Sequence, residues 1–176
     1  MNYVLKAGVL YEPQHWQIVA RLKSGFIGSE KKVLSADGTL LLSTSIQNPD
    51  VSSGEMNTMP FRKYIMRDDA DNVCASARPV YAEGDDPTKV GWPICRMPKV
   101  DRAELFLDGQ KYTVTMHSFQ SYTVKEASGK TVVRVLHKGL AGGWEIEAKD
   151  AFEPQIICGI FSFCRYIEQE NEFLIV

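Results

Sequence analysis

The sequence has few cysteines, no long apolar run and no strong charge imbalance. Its four cysteines, Cys74, Cys95, Cys158 and Cys164, form no C-x-x-C pair, a usage typical of free thiols in a reducing compartment. The first residues lack the apolar stretch of a secretory signal, and no run reaches the roughly 18 apolar residues that a membrane span needs. These absences predict a cytoplasmic protein without a transmembrane segment.

Charge of neither sign is in large excess, because 20 basic and 22 acidic residues give a net charge of −2. Such a balance provides no general attraction for nucleic acid, so no nucleic-acid partner is expected, although a local basic patch stays compatible with it. The 176 residues, 44% of them hydrophobic, are typical of one globular domain spanning residues 1–176. A chain of this length buries enough surface to fold without a metal or a disulfide.

Four segments have the pattern of β-hairpins, in which two short alternating strands flank a tight turn. The turn residues tolerate positive φ, as hairpin turns demand. The segments, with their turns in parentheses, are Lys32–Ser43 (Asp37-Gly38), Tyr64–Ala75 (Asp71-Asn72), Leu105–Thr115 (Asp108-Gly109) and Tyr122–Val135 (Ser128-Gly129). Their spacing is too uneven for a solenoid or a propeller. The pattern predicts an antiparallel meander that closes into a barrel or stacks as a sandwich.

Two long connections rich in residues that break regular structure interrupt the hairpins, Gln47–Pro60 and Glu83–Pro98. Loops of this length are often functional. Trp92 in the second loop is either a binding anchor or an aromatic that folds back over a barrel end, and the second interpretation is favoured. A third connection, Gly139–Gly143, is glycine-rich, but it lacks the lysine and the helix that follow a phosphate-binding loop, so it is interpreted as a hairpin loop.

The pattern changes after the last hairpin, where Glu153–Glu168 is predicted to be a helix. Apolar or small residues face every direction around its axis, and such a helix lies either inside a protein or in a membrane. Its uncharged part, Ile156–Cys164, is under half a membrane span, and Arg165 follows directly. Burial inside the protein is therefore predicted, with a last short strand at Phe173–Val176.

Three segments resemble a known family: Phe26-Ile27-Gly28 leading into Lys32–Ser43, then Tyr122–Val135, and Trp144–Glu147 ahead of the apolar helix. They are similar to the tubby C-terminal-like superfamily, which includes tubby, the phospholipid scramblases and the plant LURP-one-related proteins. The LURP-one-related type is the closest match. The resemblance covers about Tyr11–Ile167 and implies a mainly β fold, a closed, roughly twelve-stranded antiparallel barrel that encloses the C-terminal apolar helix.

The resemblance implies a fold and not an activity for this chain. Tubby domains hold a phosphoinositide in a basic pocket that cannot be matched here residue by residue. Phospholipid scramblases have a proline-rich N-terminal arm, a cysteine-rich lipidated segment and a membrane-inserting helix, and this chain has neither that arm nor a cysteine cluster. The fold is therefore expected to be shared, whereas neither activity is carried over.

No constellation of residues predicts catalysis. His15, His117 and His137 lack the spacing of metal ligands, and Cys158 and Cys164 lie on different faces of the predicted helix. No G-x-S-x-G, P-loop or G-x-G-x-x-G motif occurs. The chain is therefore predicted not to be an enzyme and to carry no cofactor.

One acidic turn offers a candidate for calcium. Asp68, Asp69 and Asp71 place oxygen ligands at short spacing, which suits that ion. The order of ligands in an EF-hand is absent, and the alternative, a solvated turn, is favoured. No metal site is predicted.

Basic residues form a modest cluster. Lys31 and Lys32 lie at the start of the first predicted hairpin, and Arg62, Lys63 and Arg67 surround the start of the second. If the two hairpins present these side chains on one face, they can contact a lipid phosphate, each charge contributing on the order of 1 kcal/mol near an anionic surface. The alternative, a set of solvated charges on the outside of the barrel, is favoured.

These observations predict a non-enzymatic binding module of tubby-like fold that contacts an anionic lipid head group, such as a phosphoinositide, or a protein partner. The alternative is a scramblase-like lipid-handling protein that inserts its helix; a cavity barrel of the lipocalin type and a small hydrolase rank lower. The helix discriminates among them. If it fills the barrel, no lumen is left for a ligand, and Arg165 makes insertion into a membrane costly.

Overall fold

The computed structural model describes residues 1–25, 29–47, 62–85, 99–117, 120–139, 142–149 and 152–172. These residues form twelve strands and one helix. The strands are β1 (Asn2–Lys6), β2 (Val9–Glu12), β3 (Gln17–Ser24), β4 (Lys31–Leu34), β5 (Leu40–Gln47), β6 (Lys63–Asp68), β7 (Val73–Tyr81), β8 (Val100–Leu107), β9 (Gln110–Met116), β10 (Tyr122–Glu126), β11 (Thr131–His137) and β12 (Trp144–Ala148). The helix, α1, spans Pro154–Glu172.

The twelve strands form a closed antiparallel barrel, which confirms the predicted fold class. Each strand pairs with the next one along the chain, and β1 pairs with β12 to close the ring, with Asn2 opposite Glu147 and Leu5 opposite Trp144. Strands that follow one another along the chain can pair directly in a meander, and closure leaves none of the described strands with an unpaired edge. Of the two arrangements that the hairpin pattern allowed, the barrel is therefore correct and the sandwich is not.

The four predicted hairpins are present, and their turns have the expected backbone conformation. Gly38, Asp71 and Gly129 adopt positive φ, and so do both residues of Asp108-Gly109. Turns with positive φ match the right-handed twist of the strands that they join, which explains why aspartate and glycine occur there. The local sequence thus sets the register of these strand pairs.

The glycine-rich connection between β11 and β12 is the predicted hairpin loop. Its Gly139 and Gly143 both have positive φ. A Cβ atom built on Gly143 would lie 2.3 Å from the carbonyl oxygen of Leu5, so only glycine fits beside the end of β1. This loop therefore helps to close the barrel.

Helix α1 lies inside the barrel, as predicted. Residues 157–164 are all buried, and Tyr166 and Ile167 are fully covered as well. The helix packs against β3, β4, β5, β6, β8 and β9. A Cβ atom built on Gly159 would lie 2.3 Å from Cε of Met66, so the glycine lets the helix approach β6 closely. The apolar surface of the helix is thus covered by the strands that surround it.

The predicted bounds of the helix need a correction. The prediction was Glu153–Glu168, whereas α1 begins at Pro154 and ends at Glu172. The carbonyl of Glu153 accepts the first helical hydrogen bond from the N–H of Ile157 at 3.1 Å, so Glu153 is the N-cap and proline occupies the first helical position. The end lies further along because polar side chains of the last turns bind the barrel rim, which an apolar pattern does not reveal.

Several predicted features lie outside the described residues. They are Phe26-Ile27-Gly28, most of Gln47–Pro60 and of Glu83–Pro98 with Trp92 and Cys95, and the strand Phe173–Val176. Within the described part of the chain, no helix is both long enough and apolar enough to cross a membrane.

Candidate anion-binding groove

Side chains fill the interior of the barrel. Phe163 of α1 packs against Tyr64 of β6 with ring centroids 5.9 Å apart, and Phe161 packs against Trp144 of β12 at 5.0 Å. The helix and the inner strand faces form one hydrophobic cluster. This packing disfavours a ligand in the lumen, so candidate sites lie on the outer face and at the barrel ends.

At the end of the barrel where α1 finishes, polar side chains of the helix form hydrogen bonds with residues of the barrel rim. The Tyr166 hydroxyl donates to the carbonyl of Ser29 at 2.6 Å and lies 2.9 Å from the hydroxyl of Thr44. Burial raises the pKa of Tyr166 to about 12. The Asn171 amide makes two hydrogen bonds with one residue of β8: Nδ2 donates to the Val100 carbonyl at 2.7 Å, and Oδ1 accepts from the Val100 N–H at 3.0 Å. These bonds fix the last turns of the helix to the rim.

The predicted basic residues Lys31 and Lys32 are neighbours in β4 and therefore face opposite sides of the sheet. Lys31 shares the inner side with the buried Val33, and its Nζ lies 4.9 Å from the centre of the Tyr166 ring, a cation–π contact. Lys32 faces outward, is half-exposed, and lies 4.0 Å from Glu30. The two lysines therefore do not share one binding surface.

Lys32 belongs instead to a row of cations on the outer face, here called the outer cation row. It lies opposite Lys23 of β3 on one side and Ser43 of β5 on the other, and Ser43 lies opposite Arg67 of β6. Residues directly opposite in a sheet point to the same face. Arg67 is partly neutralised, since it donates to the carbonyl of Asp71 at 2.9 Å and its Nε lies 3.7 Å from the Asp71 carboxylate.

The remaining predicted residues, Arg62 and Lys63, lie beside a groove on the outer face of β6, β7 and β8, here called the outer groove. It has a volume of about 400 Å³ and is lined by Arg62, Lys63, Ser76, Ala77, Arg78, Glu104 and Phe106. The register places Ser76 opposite Phe106 and Arg78 opposite Glu104, so these four side chains share the outer face. Phe106 is 44% exposed and supplies an apolar wall.

The outer groove has a positive balance of charge, with three cations against the carboxylate of Glu104. Nη2 of Arg78 lies 3.2 Å from Oε2 of Glu104, and Nζ of Lys111 donates to Oε1 at 2.8 Å. The hydrogen bond from Lys111 is the main reason that the pKa of Glu104 is below its usual value. Lys63 makes no ion pair with any described residue. Among the described residues, the groove therefore holds one cation without a carboxylate partner, and it suits an anionic ligand.

Arg62 connects the outer groove to the central helix. Its Nη1 lies 3.7 Å from Oε2 of Glu170, whose side chain is 15% exposed, whereas the Arg62 side chain is 40% exposed. The buried Tyr64 hydroxyl donates to Oε1 of the same carboxylate at 3.3 Å. Burial raises the pKa of Glu170, and Arg62 and Tyr64 oppose that shift. This carboxylate is thus poorly solvated and depends on its two partners.

The sequence interpretation missed Arg78 and Phe106. It ended the second hairpin at Ala75, whereas β7 continues to Tyr81 and includes Pro79, a residue that argues against a central strand. The register of β6 with β7 ends at the pair Tyr64 and Ala77, so proline lies where one neighbouring strand has already ended. The alternation of buried Ala75 and Ala77 with outward-facing neighbours was the signal that could have found Arg78.

The acidic turn between β6 and β7 is stabilised by its own side chains. Asp68 accepts hydrogen bonds from the backbone N–H of Asn72 at 2.8 Å and from its amide Nδ2 at 3.1 Å. These bonds hold the pKa of Asp68 below its usual value. Its carboxylate thus has a role in the turn itself.

The histidines and helix cysteines have ordinary structural surroundings. His117 Nε2 lies 2.9 Å from the Thr123 hydroxyl, and the ring of His137 lies 5.2 Å from that of Trp144. Burial raises the pKa of Cys158 to about 12 and also raises that of Cys164. Among the described residues, no group of three His, Cys, Asp or Glu side chains is placed to hold a metal ion.

Comparisons with known proteins bear on the fold alone. No protein-family model matches the sequence, and no curated protein matches it. The structure is similar to the X-ray structure of a protein from Arabidopsis thaliana, with a TM-score of 0.55 and 11% sequence identity over 95% of this chain and 90% of that chain. At that identity the similarity supports a shared overall fold and carries no information on function.

Proposed function

We propose that this protein is a non-enzymatic binding module that recognises an anionic head group in the outer groove. The observation that carries the proposal is the convergence of Arg62, Lys63 and Arg78 on a concave surface with one carboxylate and one exposed aromatic ring. Phosphate and carboxylate groups are the ligands that such clusters bind in proteins. Because the helix occupies the lumen, an outer surface is the natural place for a ligand.

The outer cation row supports binding to an anionic membrane surface. Lys23, Lys32 and Arg67 lie on the outer face of β3, β4 and β6, and β6 also belongs to the groove. Each cation near an anionic membrane contributes on the order of 1 kcal/mol. Several such charges give weak, reversible and salt-sensitive binding. We place this interaction in the cytoplasm, where the thiols Cys74, Cys158 and Cys164, all free in the structure, suit a reducing environment.

The groove supports binding better than catalysis. Ser76 is the hydroxyl residue of its described lining, and a serine nucleophile needs an adjacent base. The three histidines occur instead in the turn after β2, after β9 and in β11. A bound anion would thus meet charge and shape but no described pair of nucleophile and base.

We further propose that the chain belongs to the tubby C-terminal-like superfamily, closest to the LURP-one-related type. The closed barrel with a buried C-terminal helix supports this assignment. A scramblase-like activity that inserts the helix is not part of the proposal, because the apolar surface of the helix is covered by the barrel and Arg165 lies over the Trp144 ring at 5.6 Å.

Vesicle sedimentation tests the proposal. Phosphatidylcholine vesicles containing phosphatidic acid are expected to bind the protein, and vesicles of phosphatidylcholine alone are not. The double variant Lys63→Ala/Arg78→Ala should bind about tenfold or more weakly, because two cations are removed. Raising the salt concentration should weaken wild-type binding in the same way.

A matched control removes two lysines away from the groove. Lys125→Ala/Lys130→Ala changes exposed residues of β10 and of the turn that follows it. This variant should bind like the wild type. An equal loss in both double variants would mean that only net charge matters, and the assignment of the groove would then be wrong.

A further inference from the structure

We propose that Arg62 couples the outer groove to the C-terminal end of the central helix, so that an anion bound in the groove takes Arg62 from Glu170 and loosens the last helical turns. This inference rests on the proposed function of the groove and describes how its occupancy is transmitted to the barrel interior. The Arg62 guanidinium takes part in both contacts, because it lines the groove and also lies beside Glu170 of the helix.

The first step of the argument is the shared position of Arg62. The residue lines the groove and its side chain is 40% exposed, so an incoming anion can reach it. Its present partner, Glu170, is 15% exposed and belongs to α1. The separation of 3.7 Å is loose for an arginine–carboxylate pair, which prefers about 2.7–2.9 Å. A ligand with better geometry can therefore compete for the guanidinium.

The second step is that Glu170 cannot follow Arg62 into the groove. The carboxylate is held by Tyr64, which is fully buried, and the next residue, Asn171, is bound to the backbone of Val100 through both its N–H donor and its carbonyl oxygen. Arg62 moves on a long flexible stem, whereas Glu170 is fixed at the rim. Competition therefore separates the pair instead of moving it as a unit.

The third step is the cost to the helix. Burial already disfavours the charged form of Glu170, and Arg62 is the cation that opposes this effect. Without Arg62, the carboxylate keeps one hydrogen bond from Tyr64 in a poorly solvated place. A buried charge without a partner is unfavourable, so conformations in which the carboxylate reaches water become more populated. The last turn, from Glu168 to Glu172, is therefore expected to open more often when the groove is occupied.

Linkage makes the effect reciprocal. If the ligand weakens the Arg62–Glu170 contact, then removing the negative charge of Glu170 must strengthen ligand binding by the same free energy. The variant Glu170→Gln is the direct test, because glutamine keeps the shape and the acceptor oxygen for Tyr64. A matched control is Glu145→Gln, which removes an exposed carboxylate that is bonded to Lys138 at 2.7 Å on β12.

The experiment uses the full chain with two probes, phosphatidylcholine vesicles containing phosphatidic acid and soluble glycerol 3-phosphate. The vesicles present the phosphate as a lipid head group and the soluble compound presents it free, so the two arms distinguish the source of the ligand. We expect Glu170→Gln to bind about threefold more tightly than the wild type, the size expected for one partly exposed ion pair. Glu145→Gln should bind like the wild type.

Hydrogen exchange provides the second measurement. Adding the probe to the wild type should speed amide exchange in residues 168–172, while exchange in residues 157–164 stays unchanged. In Glu170→Gln the probe should have little effect on either segment, because the contact that it breaks is already absent.

The outcomes separate the two proposals. If Lys63→Ala/Arg78→Ala weakens binding but Glu170→Gln binds equally or more weakly than the wild type, the coupling is wrong and the groove stands. Slower exchange at residues 168–172 on binding would overturn the coupling as well. If neither probe binds the wild type, the proposed function fails, and the coupling fails with it.

Discussion

The two parts of the central helix are held by different forces. Residues 156–164 are uncharged, and from residue 157 onward they are buried among the inner faces of the strands. Residues 165–171 include the buried Tyr166 and Ile167, but they also carry charged and amide side chains, of which Glu170 and Asn171 bind strand residues at the barrel rim. The same helix is therefore an apolar core element over its first part and a polar contact element over its last turns.

The first part depends on exclusion of water. Phe161 and Phe163 pack against aromatic rings of β12 and β6. The hydroxyl of Ser162 donates to the carbonyl of Cys158 at 3.0 Å within the helix. Such burial contributes about 1.5–3 kcal/mol for each large side chain and is not directional. Any apolar residue of similar volume would be held there to a similar extent.

The last part depends on directed polar contacts. Tyr166 bonds to Ser29 and Thr44, and Asn171 bonds twice to Val100. Each such bond contributes only about 0.5–1.5 kcal/mol to stability. The comparison teaches that the polar end is the part of the helix that a ligand on the outer face can move, since its bonds are few and individually weak.

The largest expected effect comes from a charge in the apolar part. Ile160→Asp places a carboxylate at a side chain that is 1% exposed, and the loss should exceed about 4 kcal/mol, which abolishes soluble expression. Gln155→Asp is the control, because an acid in the first helical turn is tolerated or favoured. A soluble Ile160→Asp protein that unfolds cooperatively in urea would contradict the burial of the helix.

A smaller effect is expected in the polar part. Asn171→Ala removes both hydrogen bonds to Val100 and leaves its backbone groups to find water, so the free energy of unfolding should fall by about 1–2 kcal/mol. Gln169→Ala changes a neighbouring half-buried amide and should stay within about 0.5 kcal/mol of the wild type. Urea unfolding followed by circular dichroism measures both. Equal values for the two variants would mean that the Asn171 contacts do not hold the rim.

The smallest effect concerns pH and the Glu170 carboxylate. Its pKa is raised in the folded protein, chiefly by burial, so folding favours its protonated form. The stability that Glu170 contributes is therefore fully present below its unfolded pKa of about 4.3 and is lost as pH rises through the raised folded pKa. Glu170→Gln, which resembles the protonated form, should gain stability relative to the wild type as pH rises, by on the order of a few tenths of a kcal/mol.

Urea titrations of the wild type and of Glu170→Gln from mildly acidic to neutral pH measure this difference. Glu145→Gln, which removes a half-exposed carboxylate of β12, is measured alongside as the control. A difference between wild type and Glu170→Gln that shrinks with rising pH would show that the ion pair with Arg62 outweighs burial.

Much of the barrel was predictable from short segments. The turns at Gly38, Asp71, Gly129 and Asp108-Gly109 were found because positive φ restricts the residues that can occupy them. The first hairpin, β1 with β2, was missed. Its turn, Ala7-Gly8, has positive φ at both residues, and alanine rarely adopts that conformation, so its sequence gives little signal.

The candidate site was predictable only in part. Arg62 and Lys63 were chosen as basic residues of one hairpin, and they do line the outer groove. Lys31 was chosen for its charge, but successive residues of a strand point to opposite faces, and Lys31 points inward toward Tyr166. Arg78 lies in β7, beyond Ala75 where the predicted hairpin ended, and Phe106 lies in β8, which pairs with β7 across a long connection. No local turn pattern could therefore join Phe106 to Arg62.

The amino-acid sequence by itself determined the hairpins and the burial of the helix, because both follow from local backbone preference and from the apolar surface of one segment. Tertiary structure alone decided where that helix ends and which charges meet. The pairing of β7 with β8 brings Phe106 and Glu104 beside Arg78, and the rim brings Glu170 and Asn171 to the strands. Contacts between side chains far apart in the chain depend on how distant strands pair and on where the helix lies among them, and no short stretch of sequence contains that information.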